Sequence, residues 1–214
     1  MLPMVLDLTR LRLVLVGNGA AAERRLALLD EAGAADLSVY ADDPSPSLAH
    51  AAGSRLVRRL PSAQELAAAR MVFIAERAAR HACDLAATAR AAGALVHVED
   101  EPALCDVHAP ATLRRGELLI AVSTGGQSPA LAVQVKRFLG ALFGTEWQQR
   151  LDELAALRHG WREGGADSET VARWTEEWVG RRGWLARNGA TGGERSLAAA
   201  RSATALDAIF ASRH

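Results

Sequence analysis

The sequence has almost no lysine. Lys136 is the single one among 25 basic residues, the rest being arginine, and 25 acidic residues balance them to a formal net charge of zero. A protein that grips nucleic acid or an anionic membrane surface shows a basic excess, so neither partner is expected. Overall balance still leaves room for a local basic patch facing an acidic small molecule. Cysteine is scarce too: Cys83 and Cys105 form no C-x-x-C pair and no disulfide framework, which fits a reducing compartment. No apolar run is long enough to span a bilayer. The first residues lack the basic stretch, apolar run and small-residue cleavage site of a secretory signal, so the expected location is the cytoplasm. Aromatics make up 5% of the chain, and all five tryptophans (Trp147, Trp161, Trp174, Trp178 and Trp184) fall in the last third.

What is present is apolar and periodic. Half of the 214 residues are hydrophobic, enough for one large domain or two smaller ones with a buried core. Leu11 to Val16 reads as a strand, and Ala20 to Ala32 as a helix stopped by Gly33. Strands are expected at Leu37–Tyr40, Arg55–Arg58, Met71–Ala75 and Ala94–Val98. A short helix from Ala63 and a longer one over Ala78–Ala92 separate the later ones. Strands alternating with helices predict an α/β fold with a parallel sheet and right-handed crossovers. After Asp100 the pattern changes. A polar segment with Pro102 and Pro110 leads to a strand over Glu117–Val122 and a helix opening at Pro129. Beyond Gly144 the chain reads as all-helical: Trp147–Arg158, Ser168–Val179 and a last helix over Glu194–Phe210 after a flexible Arg187–Gly193 connector.

The first strand-to-helix turn reads Gly17-Asn18-Gly19-Ala20-Ala21-Ala22. A G-x-G-x-x-A between a strand and a helix is a dinucleotide signature. Gly17 permits the tight turn, Gly19 lets a pyrophosphate approach the backbone, and Ala22 lets the helix lie close to the strand. The free N–H groups and positive dipole end of the helix then face the phosphates. An acidic residue after the second strand is needed for the ribose hydroxyls; Asp42 and Asp43 are the candidates, and neither is a cation that would favour a 2′-phosphate. The expected cofactor is NAD. Asp100 follows the last strand of this half, at the carboxyl edge where open α/β sheets bind ligands. The turn Ser123-Thr124-Gly125-Gly126 with Ser128, ahead of a helix, offers hydroxyls and N–H groups for carboxylates or phosphates.

These segments resemble the precorrin-2 dehydrogenase/sirohydrochlorin ferrochelatase family, the N-terminal module of siroheme synthase. Its glycine turn followed by A-E-R-K is matched from Gly17 to Arg25. Its V-D-x-P-x-x-C-D-F is matched at Asp100, Pro102, Cys105 and Asp106. Its R-x-G-x-L-x-I-A-[IV]-S-T-G-G-x-S-P-A-L-A is matched nearly in full from Arg115 to Ala132. Two segments depart from the pattern: A-T-[DN]-D beside the cofactor reads Ala75-Glu76-Arg77-Ala78, and Asn-Val-Val-Asp reads His97-Val98-Glu99-Asp100.

The resemblance implies a Rossmann domain over 1–112, a dimerisation segment over 113–144 and a small all-helical domain over 145–214, assembled as a homodimer. It implies NAD-dependent oxidation of precorrin-2 to sirohydrochlorin, followed in bifunctional members by insertion of Fe²⁺ to give siroheme; Co²⁺ and the cobalamin branch stay open. Asp100 is the implied catalytic residue, and Ala75 and Glu76 join the cofactor site. One carboxylate at the cleft can act as general base both for hydride transfer and for stripping pyrrole protons. The tetrapyrrole's carboxylates need cationic partners, for which Arg114, Arg115, Lys136 and Arg137 are candidates. His97 and His108 invite only transient metal contact, because their spacing is not that of a stable zinc site. Two further readings stand beside this one: a non-catalytic NAD- or tetrapyrrole-binding paralogue, and a chelatase without dehydrogenase function.

Overall fold

The computed structural model describes residues 1–75 and 79–186. The central strand β1 (Arg12–Val16) is buried from Leu13 to Val16, which is why its sequence is an unbroken apolar run rather than an alternating one. It is followed by α1 (Ala20–Glu31), β2 (Asp36–Tyr40), α2 (Pro46–Ala52), β3 (Leu56–Val57), α3 (Ala63–Ala68), β4 (Met71–Ile74), α4 (Ala79–Ala91) and β5 (Leu95–Val98). The five strands form one parallel sheet in the order β3-β2-β1-β4-β5, the expected Rossmann-type α/β arrangement.

Strand alternation sends the side chains of β1 into two cores. Leu13 and Leu15 pack with Ala22, Leu26 and Leu29 of α1 and with Leu48 and Ala52 of α2. Val14 and Val16 pack with Leu66 of α3 and with Ala82, Ala86 and Ala89 of α4. Each face of the sheet therefore has its own pair of helices. The chain winds outward from β1 to β3, then crosses back to β4 and β5. The strand order thus reverses beside β1, and the carboxyl ends of β1 and β4 form the switch point where such sheets bind ligands.

The open edge of β5 is covered without another strand. Asp106 N–H and Val107 N–H donate to Val96 O, and Asp106 Oδ2 accepts Val96 N–H at 3.1 Å. Arg90 holds Asp106 from the other side at 2.9 Å. The Cys105 thiol donates to Val98 O and accepts Val98 N–H, both at 3.2 Å. An exposed strand edge invites pairing with other chains, and here a loop satisfies it.

Past this point a hairpin pairs β6 (Ala111–Arg115) with β7 (Leu118–Val122). Sequence reasoning placed a strand at Glu117–Val122 and missed its partner. The turn between them is Gly116-Glu117; Gly116 has φ +57°, and a Cβ there would meet Gln148 Cγ at 2.7 Å. Helix α5 (Pro129–Leu142) follows, then α6 (Glu146–Glu163) and α7 (Ser168–Arg182). Helix α6 runs five residues beyond the expected end at Arg158, and α2 was not expected at all. β3 is only two residues long, shorter than the expected Arg55–Arg58. The expected connector and last helix after Arg187 lie outside the described residues.

The chain divides into two compact units, one comprising 1–112 with 121–138 and the other 113–120 with 139–214. Within the second, α6 and α7 are antiparallel: Arg182 meets Glu153 at 2.8 Å, Arg158 meets Thr175 at 3.3 Å, and Arg162 meets Ser168 at 3.1 Å. Trp161 and Trp174 pack edge to face, and Arg150 lies against both Trp147 and Trp184. No described helix is long and apolar enough to cross a membrane.

Candidate functional site

The switch point holds a cleft of about 580 Å³. It is lined by Asn18, Gly19, Ala20 and Ala21 from the β1–α1 turn, by Asp43, Pro44, Ser45 and Pro46 from the segment after β2, and by Ala75 after β4. Three separate stretches of sequence converge there. Of the expected cofactor residues, Asn18, Gly19, Ala20, Ala21 and Ala75 face this one space. Glu76 lies outside the described residues.

The two glycines of the turn differ in what requires them. At Gly17, φ is +154° and an added Cβ would sit 2.7 Å from Ala75 O and 3.1 Å from Ala22 Cβ. Its N–H donates to Tyr40 O, and Ala75 N–H donates to Val16 O. Three strand ends meet at this residue, so the protein's own packing demands glycine. Ala22, fully buried, is the other half of that close approach. At Gly19 an added Cβ would meet nothing within 4 Å, and the backbone is extended (φ −130°, ψ −153°). No atom of the described residues demands glycine there; the open space belongs to the cleft. Gly19 is also the N-cap of α1 and brings no side chain to cap it, so the first N–H groups of the helix are available to an anion. An open cradle with free N–H groups fits a dinucleotide pyrophosphate.

The loop after β2 is pinned to this turn. The Asn18 amide donates to Asp42 Oδ1 at 2.8 Å, Asn18 Oδ1 accepts Asp43 N–H at 3.1 Å, and Asn18 O accepts Ser45 N–H at 2.8 Å. The Asn18 amide holds the Asp42 carboxyl below the usual carboxylate range. Asp42 is thus committed to Asn18, while Asp43 lines the cleft. Ser45 caps α2 by accepting Leu48 N–H, and both Ser45 and Ser47 donate to Glu23 of α1 at 2.5 and 2.6 Å. These bonds hold the Glu23 carboxyl below its ordinary value. Pro44, Ser45 and Pro46 were missed as lining residues. Their signal was a serine followed by proline at the first helical position, a helix start that read as part of a turn.

Asp100 lies two residues beyond β5, exposed, with φ +61°, the single non-glycine residue at positive φ among those described. Such a conformation costs on the order of 1–2 kcal/mol for an L-residue, less for aspartate, and is characteristic of functional sites. Beside it is a buried polar cluster. Arg25 of α1 donates through Nε to Glu99 Oε1 at 2.6 Å and through Nη2 to His97 Nε2 at 2.9 Å. On its other side His97 Nδ1 lies 3.0 Å from Val107 O. Burial pushes the Glu99 carboxyl up, but its contacts with His97 and the Arg25 guanidinium outweigh burial and hold it at about 2.

The expected substrate residues fall in three places. Ser123, Thr124, Gly125 and Gly126 form the turn between β7 and α5. Thr124 Oγ1 accepts Ser128 N–H and donates to Ser128 O, and Ser128 Oγ accepts Leu131 N–H; these hydroxyls build the entry to α5. Lys136 lies half-buried on that helix. Arg115 belongs to the second unit, where its guanidinium donates to Phe143 O and Arg114 O at 2.9 Å. His108 is exposed, and no cluster of three metal-ligating side chains occurs among the described residues.

Comparison with known proteins gives the geometry a family. Residues 4–111 match a model described as "Putative NAD(P)-binding", and residues 115–142 match one described as "Sirohaem biosynthesis protein central". The siroheme synthase of Methylococcus capsulatus is 37% identical over 179 residues, covering 75% of this chain and 37% of that protein. Siroheme synthase 3 of Aeromonas hydrophila is 31% identical over 216 residues, covering 98% of this chain and 44% of that protein. The chain thus spans less than half the length of these relatives. The solved structure of SirC, a precorrin-2 dehydrogenase, shares the fold at a TM-score of 0.69 and 20% identity, over 87% of this chain and 93% of that one. With just over half of its length matched by the first model, the chain belongs to that NAD(P)-binding family, and it is similar to the N-terminal part of siroheme synthases.

Proposed function

We propose that this chain oxidises precorrin-2 to sirohydrochlorin with NAD⁺, in siroheme or cobalamin biosynthesis. The observation that carries the reading is the cleft at Gly19. It has room for a pyrophosphate that no atom of the described residues fills, at a sheet edge shared with Asp100, in a chain whose relatives are siroheme synthases. NAD is preferred over NADP because the segment after β2 presents Asp42 and Asp43, and a 2′-phosphate beside them would meet like charge.

In this reading the dinucleotide, when bound, accepts a hydride from the tetrapyrrole. The α1 N–H groups hold its pyrophosphate, and Asp43, which lines the cleft, takes the ribose hydroxyls with Asp42 behind it. Asp100 takes the proton that must leave as the hydride departs, so that precorrin-2 and NAD⁺ give sirohydrochlorin, NADH and H⁺. The Ser123–Gly126 turn and Ser128 supply N–H and hydroxyl partners for substrate carboxylates, with Lys136 as a cation. Fe²⁺ or Co²⁺ enters as a substrate if the same carboxylate also strips pyrrole protons for metal insertion.

The chain is proposed to act as a homodimer. Leu131, Phe138 and Leu142 lie on one face of α5 and are more than half exposed, and a hairpin like β6–β7 is marginal by itself. A second copy covers both, and light scattering at micromolar concentration reads the mass.

The deciding assay mixes the chain with NAD⁺ and precorrin-2 and follows NADH and the sirohydrochlorin spectrum. Asp100→Ala is expected to lower kcat by about 10²–10⁴ with NAD⁺ affinity unchanged. A folded wild-type chain that makes no NADH refutes the dehydrogenase reading, and full activity in Asp100→Ala refutes the role of Asp100. Metal uptake by supplied sirohydrochlorin, without NAD⁺, tests the chelatase step separately.

A further inference from the structure

Arg25 is a cation inside the protein, with 8% of its surface exposed. Taking a guanidinium out of water is costly unless its charge and donors are met, and here they are: Glu99 and His97 take the fork, and the Phe73 ring lies 5.4 Å from its central carbon. A lysine ammonium is a point charge without the planar fork that serves Glu99 and His97 at once.

The fork ends one residue short of Asp100. Glu99 is held by its side chain to Arg25 and by its N–H to Ile74 O at 2.9 Å. On the far side, Glu101 O accepts Leu104 N–H at 3.0 Å and lies 3.4 Å from the Cys105 sulfur. The left-handed backbone of Asp100 is thus gripped from both sides while its carboxylate stands exposed. Arg25 itself belongs to α1, the helix whose first turn lines the cleft.

We propose that Arg25 is a positioning residue for Asp100. Its buried fork locks Glu99, holds the turn in its left-handed form, and ties that turn to the dinucleotide helix so that the two move as one body. The proposal rests on the reading of Asp100 as general base, and adds that its placement depends on a side chain that touches neither substrate nor cofactor.

The test uses the whole chain with Arg25→Met and with the double change Arg25→Met and Glu99→Val. The single change strands the Glu99 carboxylate and lowers stability; the double change removes both charges and restores it. The proposal expects kcat in the double variant to stay down by about tenfold or more. KM for precorrin-2 and Kd for NAD⁺ should stay within about threefold of wild type, with faster hydrogen exchange at the non-proline amides of 100–105. Recovery of kcat together with stability makes Arg25 a merely structural residue and overturns the proposal. If wild type itself makes no NADH from precorrin-2, the role of Asp100 falls, and exchange at 100–105 in the double variant still decides whether Arg25 orders the turn: unchanged exchange overturns that too.

Discussion

The sheet unit and the helical unit are stabilised differently. In the sheet unit Leu13, Leu15, Val16, Val39, Val72, Ile74 and Val96 are wholly buried, and each such side chain contributes about 1.5–3 kcal/mol. Beyond Val98, the buried apolar side chains among the described residues are Leu113, Ala132, Trp161 and Val171. The helical unit instead leans on aromatic and cation–ring pairs: buried Trp161 with Trp174, half-buried Arg150 with Trp147 and Trp184, and exposed Arg182 with Trp178. The sheet carries a dry interior that can hold a strained turn and a buried cation in place. The helices carry amphipathic contacts worth little singly, and the difference predicts where substitutions hurt.

The largest effect is expected at the tightest point of the sheet. Gly17→Ala forces a Cβ to 2.7 Å from a backbone carbonyl oxygen at a positive φ, and should cost about 3 kcal/mol or more of stability. Gly19→Ala, two residues on, adds a Cβ into open space and should leave the urea midpoint nearly unchanged. It should weaken NAD⁺ binding about tenfold or more, read by calorimetry. If both substitutions destabilise alike, Gly19 is held by packing and the cleft has no claim on it.

The buried pair comes next. Glu99 has its carboxyl held at about 2, against an ordinary value of 4.5, and its side chain is less than a third exposed. Because the folded value is depressed, the contribution is full above about pH 4.5 and is lost as pH falls through 4.5 towards 2. On the order of 2–3 kcal/mol should disappear over that window, and Glu99→Gln should flatten the acid limb of a stability-against-pH curve. An unchanged limb would place acid sensitivity elsewhere, with Glu65, whose carboxyl two Arg59 bonds and Ser62 also hold low, as the next group to test.

Much of the sheet unit was legible in the sequence because its signals are local. The run Leu11–Val16 ending in Gly17, and the alternation of apolar strands with helices, depend on neighbours a few residues apart. β6 was hidden because Ala111–Arg115 contributes one buried side chain, Leu113, and becomes a strand only through its pairing with β7. α2 was hidden because its cap, Ser45, follows Asp42-Asp43-Pro44 and reads as the same turn. In the site, the glycine turn and the edge position of Asp100 follow from order along the chain. The division between Asp42 and Asp43 does not, since it depends on where the Asn18 amide points. Arg25 was least legible of all: an arginine on an amphipathic helix reads as a surface charge until Glu99, 74 residues away, is brought to 2.6 Å.

The smallest effect is expected in the helical unit, and it is the sharpest check on the comparison. Arg182 of α7 pairs with Glu153 of α6 at 2.8 Å and lies 4.5 Å from the Trp178 ring centroid. Both charged side chains are more than a third exposed, at 48% and 39%, so water and salt screen the pair and its worth falls to at most about 1 kcal/mol, the ring contact included. Arg182→Gln should therefore lower stability by about 1 kcal/mol or less, and 0.5 M salt should mask much of that difference because exposed ion pairs are screened. A loss comparable to that of Gly17→Ala would mean that α6 and α7 are held by few contacts that act together rather than by many weak ones, and the contrast between the two units would dissolve.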